Sequence, residues 1–431
     1  MFAVVARVNR KKMNTESKEI TIIGAGIIGI ACAINLQNLG FSVTVIDKNK
    51  PGEGCSFGNA GVIAPCAMVP VNTPGFLKAV PSMLLDPLGP LSFSWKYLPK
   101  MLPWLFSYLK YSHASKSEQI VDSLAAITVH SLEEHKALAG SGKAAHLIHS
   151  SPYLYLYESE ADLAKEEYAW DLRKSRGIST CVLKGNQVQQ FDPAIDSRYK
   201  CAVVMKDGHG FTSDPSKLVK ALASDFQDKG GKIIQATVQT IKVVNHKPES
   251  LVTNVGTLPF QRLVIAAGAF SAKFADQLGE HVPLEAERGY HITVKNPGVT
   301  LRYPMMNSFG KFVITPMEAG LRFAGLVEFG GLGDNPNFNL TKRLLKHAKK
   351  MFPDIDLNTY TEWMGHRPAL PDSLPIIGQS SNFNNTFYAF GHHHIGLTAG
   401  PKTGRILAEL IVGQTPSIDL SPYSIRRFIR K

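Results

Sequence analysis

The sequence predicts an α/β protein of two domains: a Rossmann-type dinucleotide-binding domain, and a second domain built on a largely antiparallel sheet. Three observations predict it. The run Ile20 to Asp47 reads as apolar strand, glycine turn, helix, strand and acid. The unbroken apolar run Leu263 to Gly268 reads as a buried parallel strand. Between Pro283 and about Gly331, several short alternating segments read as a second sheet.

The first element carries Gly24-x-Gly26-x-x-Gly29. Gly24 permits a tight turn, Gly26 lets the backbone approach a pyrophosphate, and Gly29 lets helix and strand pack closely. The helix start at Ile27 and Ile28 offers free N–H groups and about half a positive charge to phosphates. Asp47 is placed to accept hydrogen bonds from a ribose, which disfavours a 2′-phosphate, and Lys48 adjoins it. The run from Ile20 to Ile46 has no charge, but Asn35, Gln37, Asn38 and the spaced glycines argue against a membrane span.

A polar, glycine-rich loop follows from Pro51 to Gly61. Ser115-x-x-Glu118 reads as a capping box opening one helix with Ile120, Leu124, Ile127, Leu132 and Leu138 on its apolar face, ending near Gly140. Pro152 to Tyr157 reads as a strand. Asp214 to Lys229 reads as a capped helix leading to the strand Lys232 to Ile234. Val238 to Val244 and Leu251 to Val255 read as antiparallel strands. Leu340 to Met351 is a basic helix. The chain closes with a strand (Thr386 to Phe390), a loop (Gly391 to Leu397) and a helix (Thr398 to Val412) stopped by Gly413. The expected domains are 19–80, 206–280 and 358–431 for the dinucleotide, and 81–205 with 281–357 for the substrate. Residues 1–18 form a basic extension, with either Met1 or Met13 as the start.

Composition is ordinary for a soluble globular protein, 44% hydrophobic and 19% charged. The net charge of +12 favours an anionic partner such as a carboxylate substrate or lipid headgroups. The lysines are scattered and no nucleic-acid motif occurs, so no nucleic-acid partner is expected. The five cysteines show no metal or disulfide spacing, which points to a reducing, cytoplasmic setting. No metal site is expected. Consecutive side chains in the run His392-His393-His394 diverge, and no further ligand lies close in sequence.

The glycine motif occurs once. One site at the N-terminus and a glycine-rich loop and helix near the C-terminus suggest a single large cofactor held at both ends, FAD rather than NAD. Four segments together resemble the D-amino-acid oxidase-type flavoprotein superfamily, most of all bacterial D-amino-acid dehydrogenases and their hydroxyproline or proline-epimer relatives. They are the opening motif through Asp47; Ser56-Phe-Gly-Asn59-Ala60-Gly61; Trp363-Met-Gly-His-Arg367-Pro-Ala-Leu-Pro371-Asp372-Ser-Leu-Pro375-Ile-Ile-Gly378; and Gly391-His-His-His-Ile-Gly396-Leu397-Thr398 with Gly400-Pro-Lys-Thr-Gly404. Glu287-Arg288-Gly289-Tyr290-His291 is a fifth. One departure stands out: relatives often read Gly-His-Gly-His where this chain has His393 at the second glycine.

The resemblance implies non-covalent FAD. Ser56, Asn59, Ala60 and Gly61 would lie against the flavin and pyrophosphate, Val238 beside adenine, and Ala267 and Gly268 near the pyrophosphate. His392 would touch the cofactor, and Gly396, Leu397 and Thr398 would face the flavin pyrimidine edge. Cys55 reads as an ordinary thiol rather than a flavin attachment point. Arg367 would fork onto the substrate carboxylate, as only a guanidinium can. Tyr290 would cap it. His291 is a further catalytic candidate, ranked after Tyr290 because in a strand Arg288 and Tyr290 face one way and His291 the other. The implied reaction is C–N oxidation of a D-amino acid or cyclic imino acid to an imine or 2-oxo acid, with electrons passing to quinone or a carrier protein. An oxidase of glycine, sarcosine or a 2-hydroxy acid, a flavin-binding subunit of a larger dehydrogenase, and a plain NAD enzyme are the alternatives. Pro81 to Ser112 sets Lys96, Lys100 and Lys110 among large apolar residues, a pattern suited to the inner membrane surface or to a helical flap.

Overall fold

The computed structural model describes residues 18–70, 86–333 and 335–428. The basic extension lies outside them apart from Lys18, as does the 81–85 stretch of the lysine-containing apolar segment. Five strands run parallel in the order 232–235, 42–47, 19–23, 262–265, 386–390, and Ile376–Gln379 adds an antiparallel edge. Helices cover this sheet, so Ile22, Val45, Val264 and Ile265 are fully buried. That burial on both faces explains why these runs are continuously apolar instead of alternating.

The opening helix Ile27–Asn38 packs along the closing helix Gly396–Ile411. A Cβ at Gly404 would overlap the backbone of Ala31, so the glycine sets how closely the helices approach. The two ends of the chain are thereby fixed side by side. A three-stranded antiparallel meander, Val238–Val244, Lys247–Thr253 and Gly256–Pro259, extends from the parallel sheet.

The second sheet has nine strands and is largely antiparallel. Its path runs 360–369, 285–294, 320–329, 312–317, 305–307, 153–157, 201–205, 181–184, with Leu91–Phe93 parallel to Gly320–Phe329. Tyr360–Ala369, assigned from sequence to the dinucleotide domain, is instead hydrogen-bonded along Glu285–Val294 in this sheet. The motif around Arg367 therefore crosses from one domain to the other.

The single helix expected from Ser115 to Gly140 is two, Ala114–Thr128 and Ser131–Ala139. The apolar spacing jumps by five between Ile127 and Leu132, out of helical phase. His130 absorbs the break with a φ of 70°. The capping box does not form: the first helix begins after His113, without a side-chain cap. Among its described residues the lysine-containing apolar segment holds one helix, Leu98–Lys110, which contains Pro103 and buries Met101, Trp104 and Tyr108.

Candidate active site

The carboxyl ends of the parallel strands open into a cavity of about 1560 Å³, and the nine-stranded sheet forms its floor. This exceeds a typical small-ligand site of roughly 300–1,000 Å³ and leaves room for a dinucleotide plus a second molecule. Across the floor, Gly289 pairs with Val327, His291 with Ala324, Ala324 with Val313, Val313 with Met306, and Met306 with Tyr155. Each of these residues except His291 lines the cavity, so one row of residues crosses five neighbouring strands of the sheet beneath it.

The glycine turn sits at one end. Gly24 has a φ of +114°, and a Cβ there would overlap Ala266 O; a Cβ on Gly29 would overlap Gly24 O. Both glycines are needed by the fold itself. Gly26 differs: its φ is −75° and the nearest atom to a Cβ is Ser56 Oγ at 3.5 Å. What a Cβ would fill at Gly26 is cavity space, so this position suits the close approach of a ligand. Ser56 Oγ accepts from Ile27 N at 3.1 Å. Ile30 N is the first to bond back, to Gly26 O, which leaves first-turn N–H groups to the cavity. Asp47 accepts from Ala25 N at 2.7 Å and Asn49 N at 2.9 Å and keeps lone pairs for a ribose. Lys48 Nζ lies 4.3 Å from the Phe270 ring centre. Ala267 and Gly268 line the opposite wall beside Val238.

The Ser56–Gly61 loop is tied down by the floor. Arg322 Nη1 donates to Phe57 O at 3.1 Å and Asn59 O at 2.7 Å. Thr315 Oγ1 donates to Ala60 O at 2.6 Å, and His291 Nδ1 to Gly58 O at 3.0 Å. Asn59 Oδ1 accepts from Gly61 N at 2.8 Å. Trp363 stacks on His291 with ring centres 5.2 Å apart, and a Cβ on Gly58 would overlap the indole. Burial, with help from Arg322, lowers the His291 pKa to about 3, so it is a neutral strut for the loop. Burial brings Arg322 itself down to about 10.

At the far end the closing helix points its first turn into the cavity. Ala399 N is the first to bond back, to Ile395 O, so the Gly396, Leu397 and Thr398 N–H groups are free of the helix ladder. The Thr398 hydroxyl accepts from Ala64 N at 3.2 Å. His392 is buried and paired through Nε2 with Thr403 Oγ1 at 3.0 Å; burial lowers its pKa to about 3. It braces the helix start.

Arg367 lies against Gly289, where a Cβ would displace its guanidinium. Its Nη1 donates to Glu287 Oε1 at 2.5 Å, and His393 Nε2 meets Glu287 Oε2 at 2.6 Å. Burial opposes ionisation of Glu287, but His393 and Arg367 outweigh it and hold the carboxyl well below its usual range. Tyr290 sits on the other face of the strand with Arg288. Its hydroxyl donates to Glu328 Oε2 at 2.5 Å and accepts from Asn337 N at 3.0 Å. Arg288 Nη1 reaches the same Glu328 oxygen at 3.3 Å.

Sequence reasoning named Arg367 but gave no role to Glu287, although it lies in a quoted segment. Arg322, Thr315 and Trp363 were not singled out as the clamps of the loop. Arg173, in the helix Glu167–Lys174, also reaches the cavity wall; its polar surroundings in sequence gave no signal.

Over residues 19–410 the chain matches the FAD dependent oxidoreductase family. It is 36% identical over 421 residues to a D-amino-acid oxidase of Bradyrhizobium diazoefficiens, covering 96% of this chain and 100% of that one. It is 27% identical over 424 residues to a D-amino acid dehydrogenase of Paramagnetospirillum magneticum, covering 95% and 99%. Among solved structures it aligns with L-proline dehydrogenase from P. horikoshii at a TM-score of 0.72 and 20% identity, covering 96% and 98%. The iminodiacetate oxidase of Chelativorans sp. BNC1 aligns at 0.69 and 20%, covering 94% and 98%. These structural likenesses speak to the fold. With a dinucleotide turn, two helix starts facing one cavity and a family match across almost its whole length, the chain belongs to the FAD dependent oxidoreductase family and is an FAD-dependent enzyme.

Proposed function

We propose that this enzyme oxidises the C–N bond of a D-amino acid, or of a cyclic imino acid such as a proline or hydroxyproline isomer. The product is an imine, which hydrolyses to a 2-oxo acid and ammonia when the amine is primary. The observation that carries this reading is that one cavity joins the dinucleotide turn to guanidinium groups, Arg367 and Arg173. A carboxylate substrate needs such a group. The D-amino-acid oxidase and dehydrogenase relatives support the D configuration.

FAD, when bound, accepts the hydride from the substrate Cα. The chain supplies position and field. Asp47 and the first turn at Ile27 would hold the adenosine and pyrophosphate. The first turn at Gly396 would stabilise negative charge on the pyrimidine edge without reorganising. The loop clamped by Arg322, Thr315 and His291 would fix the ring against the floor. Leu98, Met101, Trp104 and Tyr108 close the cavity against water.

For the electron acceptor we favour quinone or a carrier protein. Trp95 is 81% exposed and Phe106 64%, with Lys96, Lys100 and Lys110 around them. Among the described residues no helix is long and apolar enough to cross a membrane, so contact would be peripheral. Molecular oxygen is the second reading, favoured by the name of the 36% identical relative.

The test is anaerobic bleaching of the FAD-loaded protein by D- and L-amino acids, D-proline and hydroxyproline isomers. Reoxidation by quinone and by oxygen is then timed. Bleaching by D-amino or imino acids with faster reoxidation by quinone is expected. A flavin that none of these compounds reduces would sink the proposal.

A further inference from the structure

Arg173 is a buried cation that no neighbouring acid neutralises. The side chain is 7% exposed and lines the same cavity as Arg367. Its Nε donates to Cys66 O at 3.1 Å, while Nη1 is buried without a partner. Among the described residues it forms no ion pair with a carboxylate. Glu166, the acid whose field reaches it, is committed elsewhere: it accepts from Tyr157 Oη at 2.8 Å and pairs with Lys311. Two aromatic rings flank the guanidinium, Trp170 at 4.7 Å and Tyr155 at 5.4 Å from ring centre to Cζ. A desolvated guanidinium with an unmade hydrogen bond is costly, and rings relieve only part of that cost. An anion arriving through the cavity would relieve the rest.

FAD held as proposed above does not supply that anion. Its phosphates belong at the Gly26 turn, whereas Arg173 stands at the flavin end. Cys66 comes two residues after Ala64, whose N–H donates to Thr398 at the start of the closing helix. On the amino-acid reading, on which this inference rests, the substrate's α-carboxylate does not supply it either. That group belongs to Arg367, which is about a fifth exposed, gives only Nη1 to Glu287 and keeps further N–H groups to donate.

Arg367 lies over the strand Glu285–Val294 and Arg173 over Tyr153–Tyr157, four strand spacings apart along the floor. At ~4.8 Å per spacing that is about 19 Å, so one carboxylate cannot serve both. A charge-assisted hydrogen bond of ~2.8 Å at each end leaves about 13 Å. At ~3.4 Å for every three bonds of an extended chain, a ligand crosses that gap in about 11 bonds. The floor between the two groups carries Ala324, Val313 and Met306, an apolar row suited to a methylene spacer.

We propose that Arg173 is a second anion subsite, and that the preferred substrates are D-amino acids whose side chain ends in a distal carboxylate. Arg367 takes the α-carboxylate, the apolar row carries the spacer, and Arg173 takes the far carboxylate beside the Trp170 and Tyr155 rings.

The experiment mixes FAD-loaded protein anaerobically with two compounds. One is Nε-glutaryl-D-lysine, whose carboxyl carbons are about 11 bonds apart, the span worked out above. The other is Nε-pentanoyl-D-lysine, of the same length without the second charge. The concentration that gives half the maximal rate of flavin bleaching is read for each. In wild-type protein it is at least about tenfold lower for the glutaryl compound, as a charge-assisted hydrogen bond predicts. In Arg173→Met the ratio falls to within about threefold, and Arg173→Lys keeps part of it. A second readout uses the native chain reduced beforehand with dithionite, where nothing turns over. There the glutaryl compound changes a tryptophan emission that Trp170→Phe lacks, and the pentanoyl compound does not. This readout stands even if the Arg173 variants fail to fold. Equal half-saturation by the two compounds in wild-type protein overturns the proposal. So does a glutaryl preference that survives in Arg173→Met, or one accompanied by no change at Trp170. Failure of the amino-acid reading is seen separately, as a flavin that no amino acid bleaches; bleaching by the pentanoyl compound with no gain from the second charge removes the Arg173 subsite alone.

Discussion

The three glycines of the opening turn predict opposite outcomes for one chemical change, the addition of a methyl group. At Gly24 the methyl would overlap Ala266 O at a φ of +114°. The left-handed penalty of about 1–2 kcal/mol and overpacking of about 1–3 kcal/mol give roughly 2–5 kcal/mol. That is a large part of a typical stability of about 5–15 kcal/mol. Gly29→Ala fails through overlap alone, because its methyl would meet Gly24 O. At Gly26 the methyl meets only Ser56 Oγ at 3.5 Å. As a helix N-cap, alanine costs up to about 1 kcal/mol against glycine, and reduced unfolded-state entropy returns about 0.4–1 kcal/mol. The fold should therefore be unchanged within about 1 kcal/mol. FAD binding should not be, because the methyl occupies the space a pyrophosphate oxygen needs. Losing one charge-assisted hydrogen bond, about 1.5–3 kcal/mol, weakens FAD binding by roughly 10- to 150-fold. The assay pairs an FAD fluorescence titration with urea unfolding at an FAD concentration of 100 times the wild-type Kd. FAD then stabilises wild type by about 2.7 kcal/mol and a hundredfold-weakened Gly26→Ala by only about 0.4 kcal/mol. Wild-type FAD affinity in Gly26→Ala, or its unfolding without FAD, would refute this reading of the turn.

Other consequences are as direct. Glu287→Gln leaves Arg367 and His393 without their carboxylate; since Arg367 is about a fifth exposed, the cost falls below the fully buried range, at about 2 kcal/mol, read by urea unfolding. The pH dependence follows from four buried histidines. Burial lowers His135 and His209 to about 4 and His291 and His392 to about 3, against about 6.5 in the unfolded chain. The unfolded state binds more protons below pH 6.5, so their stabilisation is complete above that pH and is lost as pH falls toward 4 and then 3. Each contributes a slope of up to about 1.4 kcal/mol per pH unit, and equal stability at pH 7.5 and 5 would contradict the burial argument. Trp95→Ser with Phe106→Ser should abolish co-sedimentation with vesicles containing anionic lipid while leaving anaerobic flavin bleaching intact; undiminished sedimentation would remove the membrane role of this helix.

What was legible in the sequence was local. The turn glycines, the buried parallel strands and the closing helix each announce themselves within about 20 residues, because glycine sterics and apolar periodicity are properties of neighbours. What was not legible depends on pairing at a distance. Glu287 gains its meaning from Arg367, 80 residues away, and Arg322 from Asn59, 263 residues away. No periodicity reports such pairs. Arg173 was hidden for the converse reason: its helix is polar in sequence, and only the packing of Tyr155 and Cys66 against it from elsewhere in the chain reveals a buried cation. The Thr398 hydroxyl shows the limit of motif reading. The motif places the helix start correctly, but the side chain serves the strand Val62–Ile63 and its neighbour Ala64, leaving the backbone to face the cavity.

His393 joins the two levels. Relatives often carry glycine there, and this chain keeps a glycine-like backbone, with a φ of +50°. That conformation costs a non-glycine residue about 1–2 kcal/mol, which an ordinary surface histidine would not offset. Here the ring reaches Glu287 at 2.6 Å and gives a buried carboxylate its second partner. His393→Gly would lose that contact but relieve the backbone, and Glu287 would keep Arg367. It should therefore destabilise the protein by about 1–2 kcal/mol less than Glu287→Gln, which leaves both partners without their carboxylate and relieves nothing. Urea unfolding of both variants at pH 7 decides the matter. If His393→Gly is the more damaging of the two, His393 does more than complete the ion cluster, and that cluster cannot explain why this chain departs from glycine.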